Sequence, residues 1–383
     1  MTIYDYIDEY GIYSFQEKAF NEVDATIFSY LSYAKLDKIF EERRKVTIQE
    51  AGRMHLGFQK EKDNNIIAVK GGNDLLKYIK DTKRYKDCIL SHYQYIGNEE
   101  TQFGAVTIEY DKNKIYISFE GTDELFSGWI EDFMLSYQCP TKSHEQAINY
   151  LNKYLIFQKK EVILGGHSKG GNLALVAGMY ANNYVKKRIK VIYGMDSPGL
   201  LKEQVESKEY KSIKDKYIHI IPNYSMIGVL LKSEKDIVIK SKKKGILAHD
   251  IFNWEIEDEK LLREELSNQS KEIRIETEKW IEKYNQEDKY KFVKNLNEII
   301  QKSKVTDFLE IKKEHRKIIN IIAESKNLST QTKAMLKDLI RIMIKSYNDT
   351  KVEEIKIMLE KNLKISNKIK PINISKKRIS SDN

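Results

Sequence analysis

The sequence predicts an α/β fold, with a mostly parallel β-sheet flanked by helices and a C-terminal all-helical extension. Up to about residue 254, short runs rich in Ile, Val, Tyr and Phe alternate with helical segments, as in largely parallel sheets with helices on both faces. Beyond that point the pattern changes. Residues 255–360 contain no proline and carry many Glu and Lys residues, with Ile and Leu at helical intervals, which predicts amphipathic helices.

The elements follow one another in a definite order. A helix is predicted over residues 15–50, where apolar residues recur every three or four positions without a proline. Another is predicted at 143–158, and the glycine loop at Gly245 leads towards a helix near Asp250. Strands are predicted at 88–95, 103–111, 114–121, 161–166, 190–196, 217–222 and 236–240. A hairpin turn at 111–113 joins the second strand to the third, and helices join the later strands.

Composition divides the chain into three regions: an α/β domain at 1–254, a helical domain at 255–360 and a flexible basic tail at 361–383. The whole chain carries +9, and these regions carry +3, zero and +6 respectively. Because the excess lies in the tail and not on a folded surface, we expect no nucleic-acid partner. The interleaved Lys and Ile residues of the tail leave peripheral membrane contact open.

Export and metal signals are absent from the sequence. The N-terminus has Asp5, Asp8 and Glu9 where a signal peptide has lysines and an apolar run, and no apolar stretch is long enough to span a membrane. The only cysteines, Cys88 and Cys139, form no metal-type pair and are too few for a disulfide scaffold. We therefore expect a cytoplasmic protein.

The most informative motif is the G-x-S-x-G sequence from Gly166 to Gly170. A serine hydroxyl is a weak nucleophile and must project from a sharp strand-to-helix turn towards a base and a carbonyl. Side chains at Gly166 and Gly170 would collide in that turn. The turn places Ser168 at a helix N-terminus, where the amide of Lys169 can face an oxyanion. Ser168 is the predicted nucleophile, and a glycine-rich turn with an inert serine is the alternative.

Acyl transfer also needs a second oxyanion donor and a general base. Thr122 follows a predicted strand, so its backbone N–H suits the donor role and its hydroxyl is a further candidate donor; an ordinary turn is the alternative. Among the seven histidines, His249 is the candidate base because it follows the last predicted strand and the Gly245 loop; a surface or capping histidine is the alternative. The less suitable histidines are His55, His92, His144, His167, His219 and His315.

Six segments, in order, resemble the class 3 lipases and, more closely, the bacterial Mbeg-like group of lipase-like α/β-hydrolases, whose substrates are mostly unassigned. They are NEVDATIFSYLSY at 21–33, ISFEGTDELFSGWIEDF at 117–133, LGGHSKGGNLA at 164–174, MDSPGL at 195–200, IPNYSMIGVLL at 221–231 and LAHDIFNW at 247–254. The resemblance implies an α/β-hydrolase fold and hydrolysis of lipid-like or acyl esters through a serine acyl-enzyme, without cofactor or metal.

The same resemblance assigns roles to residues. It makes Ser168 the nucleophile, His249 the base and Thr122 the oxyanion residue. Trp129 and Asp132 match the pair that orders the loop after the oxyanion residue.

The acid of the triad is the departure from the family pattern. Class 3 lipases carry it in the segment that corresponds to 221–231, where this chain has Ser225, and a serine cannot stabilise an imidazolium as a carboxylate does. Asp196, at the end of the preceding strand, is the best replacement, with a turn aspartate as its alternative. Asp236 and Asp250 are weaker candidates, and a Ser–His dyad without an acid stays open.

These features predict a serine hydrolase that cleaves carboxylic esters. The alternative is a weak or inactive hydrolase-fold protein that binds a partner through the helical region at 255–360. The missing acid at position 225 favours that alternative.

Overall fold

The computed structural model describes residues 1–58, 67–98, 101–122, 126–303 and 328–345 of the 383-residue chain. The predicted basic tail at 361–383 lies outside these residues.

The centre of the molecule is an eight-stranded mixed sheet whose strands lie in sequence order. The first four strands pair antiparallel and the fourth to the eighth pair parallel. The strands are β1 (Lys45–Thr47), β2 (Ile89–Gly97), β3 (Gln102–Asp111), β4 (Lys114–Phe119), β5 (Glu161–His167), β6 (Ile189–Met195), β7 (Tyr217–Pro222) and β8 (Asp236–Ile239). Seven of them confirm the predicted strands.

Helices cover both faces of this sheet. In the α/β region they are α1 (Ile3–Tyr10), α2 (Glu22–Leu31), α3 (Asp37–Glu42), α4 (Ile48–Phe58), α5 (Ile67–Ile79), α6 (Phe126–Met134), α7 (Lys142–Leu155), α8 (Lys169–Tyr180), α9 (Asn183–Lys186), α10 (Lys202–Val205) and α11 (Lys208–Lys211). Alternate residues of β4 point to opposite cores: Tyr116 packs with the α2 side, and Ile115 and Ile117 pack with α7 and α8. The period-2 pattern therefore supplies two cores, as the α/β prediction requires.

The single helix predicted over residues 15–50 is wrong. Asn21 caps a new helix, α2, by accepting hydrogen bonds from the amides of Val23 and Asp24. Further along, Val46 is buried and pairs with Leu90 of β2. Periodicity detected the apolar residues but not the cap and the edge strand that divide them, because both depend on local hydrogen bonds and on strand pairing.

A buried ion pair fixes α2 to the segment before β2. Both Nε and Nη2 of Arg84 donate to the carboxylate of Asp24, at 2.7 and 2.6 Å, and the hydroxyl of Tyr85 donates to the same carboxylate at 2.7 Å. Both ionic side chains are fully buried. Because the carboxylate of Asp24 lies in a low-dielectric core, its negative charge is stabilised there only by these donors.

The region after residue 254 begins with a short hairpin of β9 (Ile256–Glu257) and β10 (Lys260–Leu261). The helices that the structure describes after it are α12 (Asn268–Lys283), α13 (Gln286–Ser303) and α14 (Thr330–Lys345). They share a core with α6 and the turn after it, which contains Ile130, Tyr137, Trp280, Tyr284, Phe292, Val293 and Met335. The C-terminal helices therefore cover the helix that follows the predicted oxyanion residue. Within the described ranges no helix is long and apolar enough to cross a membrane.

Candidate active site

Ser168 lies in the sharp turn between β5 and α8. Its φ of 57° is in the left-handed region, which is uncommon for a non-glycine residue. A Cβ atom on Gly166 would lie 2.3 Å from the carbonyl carbon of Gly170, and one on Gly170 would lie 2.1 Å from the carbonyl oxygen of Phe119. The two glycines are thus required by close backbone approach. Ser168 itself keeps 9% of its surface exposed.

His249 and Asp196 meet although they are 53 positions apart in the sequence. The Nδ1 atom of His249 lies 2.6 Å from Oδ2 of Asp196. Asp196 is fully buried, whereas the side chain of His249 keeps 19% exposure. Such contact orients the imidazole.

The other oxygen of Asp196 is held by the segment that resembles the acid-bearing segment of class 3 lipases. Ser225 Oγ and the amide of Gly228 donate to Oδ1 of Asp196, at 2.5 and 2.9 Å. Position 225 therefore does not supply a carboxylate but orients the carboxylate at position 196.

The loop that carries His249 is fixed by short-range contacts. Gly245 starts it with a φ of 60°, and the helix predicted near Asp250 is found as two short 3₁₀ helices, at residues 245–249 and 251–253. Fully buried Trp254 donates its indole N–H to the carbonyl of Ala248 at 2.8 Å.

His167 is a site residue whose position the sequence did not reveal. We expected its side chain to point away from the site because it adjoins Ser168. Instead its ring centroid lies 4.3 Å from that of His249, and its Nε2 lies 2.8 Å from the His249 carbonyl oxygen. Burial, with the nearby His249, holds the pKa of His167 well below 6.5. A neutral ring that donates from Nε2 is consistent with both observations.

Gly121, which precedes the candidate oxyanion residue Thr122, lies against the serine. A Cβ on Gly121 would fall 3.1 Å from Cβ of Ser168 and 2.4 Å from the carbonyl oxygen of His167. The hydroxyl of Thr122 donates to Oδ2 of Asp132 at 2.8 Å. This differs from the expectation that the hydroxyl is a further oxyanion donor, because its proton is engaged by the carboxylate. The backbone N–H of Thr122 remains the candidate.

The carboxyl group of Asp132 is buried in surroundings that disfavour its charged form. Within the described ranges its Oδ1 is buried without a hydrogen-bond partner. Burial raises its pKa to about 6, against the lowering effects of Lys169 and of the Thr122 hydroxyl. Trp129, the other member of the predicted pair, belongs to the same helix, α6.

The weaker acid candidates have other partners. Asp236 contacts Nδ1 of buried His219 at 2.8 Å and Nη2 of Arg274 at 2.5 Å. Burial opposes its ionisation, but these partners lower its pKa to about 2. Asp250 accepts from the amide of Phe252, and burial raises its pKa. Asp196 is the carboxylate that the described residues bring to His249.

No group of three or more His, Cys, Asp or Glu side chains in the described part of the chain could hold a metal ion.

The sheet, the strained serine and the His–Asp pair define a lipase-like α/β-hydrolase fold. The chain belongs to the Mbeg1-like family, whose model matches residues 79–298. Among curated proteins no match was found.

Solved lipase structures are similar at low identity. The Rhizomucor miehei lipase propeptide complex is 14% identical with a TM-score of 0.34, and 56% of this chain and 67% of that chain are covered. The lipase from Rhizopus microsporus var. chinensis is 18% identical with a TM-score of 0.32, over 53% and 79%. M37 lipase is 13% identical with a TM-score of 0.33, over 54% and 69%.

Proposed function

We propose that this protein is a serine hydrolase that cleaves carboxylic esters, with Ser168 as nucleophile, His249 as general base and Asp196 as the acid. The observation that carries the proposal is the 2.6 Å contact between Asp196 Oδ2 and His249 Nδ1. Since a carboxylate can only accept, Nδ1 carries the proton and Nε2 is left with a lone pair. That tautomer is the one a general base needs.

The proposed reaction proceeds in two acyl-transfer steps. Ser168 Oγ attacks the ester carbonyl while His249 Nε2 takes its proton, and the amides of Lys169 and Thr122 stabilise the oxyanion. His249 then protonates the departing alcohol. Water, deprotonated by the same imidazole, attacks the acyl-enzyme; the bond between the acyl carbon and Ser168 Oγ then breaks, His249 returns the proton to Oγ, and the acid is released. Proton transfer contributes about 10²–10⁴-fold, and each oxyanion donor about 10²–10³-fold.

The substrate class rests on the family resemblance. Six ordered segments resemble class 3 lipases, which favours lipid-like or acyl esters over peptides. The imidazole of His249 keeps 19% of its surface exposed, which supports access of a small ester to the base.

The test combines turnover with active-site labelling. Purified full-length protein is incubated with nitrophenyl esters of increasing acyl length and, separately, with a fluorophosphonate probe. We expect Ser168→Ala to lose both turnover and labelling. The control is Ser212→Ala, because Ser212 is exposed and donates to the Glu209 carbonyl; it should behave like the wild type.

Two results would count against the proposal. Equal labelling of the wild type and Ser168→Ala would show that another residue reacts. A wild type with neither turnover nor labelling would favour the alternative, a hydrolase-fold protein that binds a partner.

A further inference from the structure

A buried polar cluster lies directly behind the oxyanion residues. Lys169, the first residue of α8, keeps only 1% of its surface exposed. Its ammonium group lies 2.9 Å from the carbonyl oxygen of Gln102, 2.9 Å from the side-chain oxygen of the same residue and 3.1 Å from Oε2 of Glu131. These three acceptors match the three donors of an ammonium group. A buried lysine is retained only where such partners replace water.

Glu131 is the anion that balances this lysine. Its carboxylate also accepts from the Thr101 hydroxyl at 2.9 Å, the Gln102 amide at 3.1 Å and the Ser143 amide at 3.2 Å. Burial alone would raise its pKa, but Lys169 and these donors hold the pKa below its usual value. The lysine and the glutamate lie 3.1 Å apart as a buried salt bridge, and that pair fixes the position of Gln102.

Gln102 connects the cluster to the oxyanion loop. With its side-chain oxygen held by Lys169, its Nε2 donates to the carbonyl oxygen of Gly121 at 3.0 Å. That carbonyl and the N–H of Thr122 belong to one planar trans peptide, so they point in opposite directions. A hydrogen bond that holds the carbonyl on one side therefore aims the N–H to the other side.

We propose that the Lys169 side chain, acting through Gln102, orients the peptide between Gly121 and Thr122, so that Gln102 and Lys169 are positioning residues for the oxyanion. This inference rests on the proposed function. The backbone of Lys169 supplies one oxyanion amide, and its side chain fixes the direction of the other. Both donors are thus set by one residue next to the nucleophile.

Such positioning acts on the transition state and not on the bound ester. Substitution of Gln102 should lower kcat and leave KM nearly unchanged. Gln102→Glu keeps an acceptor for Lys169 but removes the donor to Gly121. Gln102→Met removes the same donor without adding a charge, and it serves where Gln102→Glu does not fold.

The experiment compares these variants with Thr107→Val. Thr107 is buried in the same strand, β3, and its hydroxyl contacts that of Tyr150 at 2.9 Å, so its substitution disturbs the strand without touching the oxyanion loop. We expect a fall in kcat of about 10²-fold for the Gln102 variants, KM within about threefold, and wild-type kcat for Thr107→Val. A trifluoromethyl ketone, whose adduct carries an oxyanion, should bind more weakly by the same factor as kcat/KM falls.

The outcomes separate this inference from the proposed function. A wild type without any turnover would contradict the proposed function itself. An active wild type whose Gln102 variants keep kcat within about threefold would overturn the positioning role alone. The positioning role would also be overturned if the Gln102 variants bound the ketone as tightly as the wild type, or if their loss of activity lay in KM and not in kcat. A general disturbance of the structure would explain such results.

Discussion

Replacement of Asp196 by asparagine is the sharpest test of the proposed triad. In the structure Oδ2 of Asp196 faces Nδ1 of His249 at 2.6 Å, and Oδ1 accepts from Ser225 and Gly228. An asparagine can keep its oxygen on the two donors, which directs its NH₂ group at Nδ1. His249 must then accept at Nδ1 and carry its proton on Nε2, which leaves no lone pair there for the proposed proton transfer from Ser168.

The expected loss is large because both the tautomer and the imidazolium are affected. Substitution of this kind in a Ser–His–Asp triad lowers kcat by about 10⁴-fold, which corresponds to roughly 5.4 kcal/mol in the activation free energy. KM should change little, since Asp196 is fully buried and cannot touch the substrate.

The assay is steady-state hydrolysis of a nitrophenyl ester by the wild type, Asp196→Asn and the control Asp250→Asn. Asp250 is next to the base, and asparagine there still caps the Phe252 amide, so the control removes a nearby charge but not the contact to Nδ1. It should stay within about tenfold of the wild type. Retention of a tenth of wild-type kcat by Asp196→Asn, in a folded protein, would refute the reasoning.

Three further predictions concern stability. Burial raises the pKa of Asp132 to about 6 from 3.8. The ionised carboxylate therefore destabilises the folded protein increasingly as the pH rises from about 4 to about 6, whereas the neutral carboxyl group below about pH 4 does not destabilise it. Relative to the wild type, Asp132→Asn should gain unfolding free energy between pH 4 and pH 7, towards about 3 kcal/mol; a pH-independent difference in urea unfolding would contradict this. Arg84→Met leaves the Asp24 carboxylate buried without its bidentate partner and should lower the unfolding free energy by about 3–5 kcal/mol, whereas a loss below 1 kcal/mol in the same assay would argue against it. Phe292→Ala empties a fully buried position between α13 and α6 and should lower stability by about 3–5 kcal/mol, measured as a shift in the thermal transition; an unchanged midpoint would show that this core is not formed.

The sequence predicted the features that depend on local composition. Strands rich in β-branched and aromatic residues were found at the predicted places, and the glycines around Ser168 are required by contacts of 2.1–2.3 Å. The helix over 15–50 was wrong because caps and strand pairing, not periodicity, decide where helices end.

The features it could not supply depend on long-range contact. Lys169 occupies a variable position of the motif, where a lysine is usually solvated, and its burial follows from Glu131, 38 residues away. His167 was set aside because it adjoins the serine, yet the loop at His249 folds back onto it. Ser225 was recognised only as a missing acid, since no local pattern shows that it donates to Asp196.

The packing of the C-terminal helices on α6 links distant parts of the polypeptide energetically. Phe126, where α6 begins, is four positions after Thr122, and Ile130 on that helix shares a core with Trp280, Phe292 and Met335. Detachment of α6 from this core would expose these side chains to water, at a cost of about 1.5–3 kcal/mol for each large apolar side chain. The attachment of α6 therefore depends on apolar residues that lie at least 150 positions after Ile130 in the sequence.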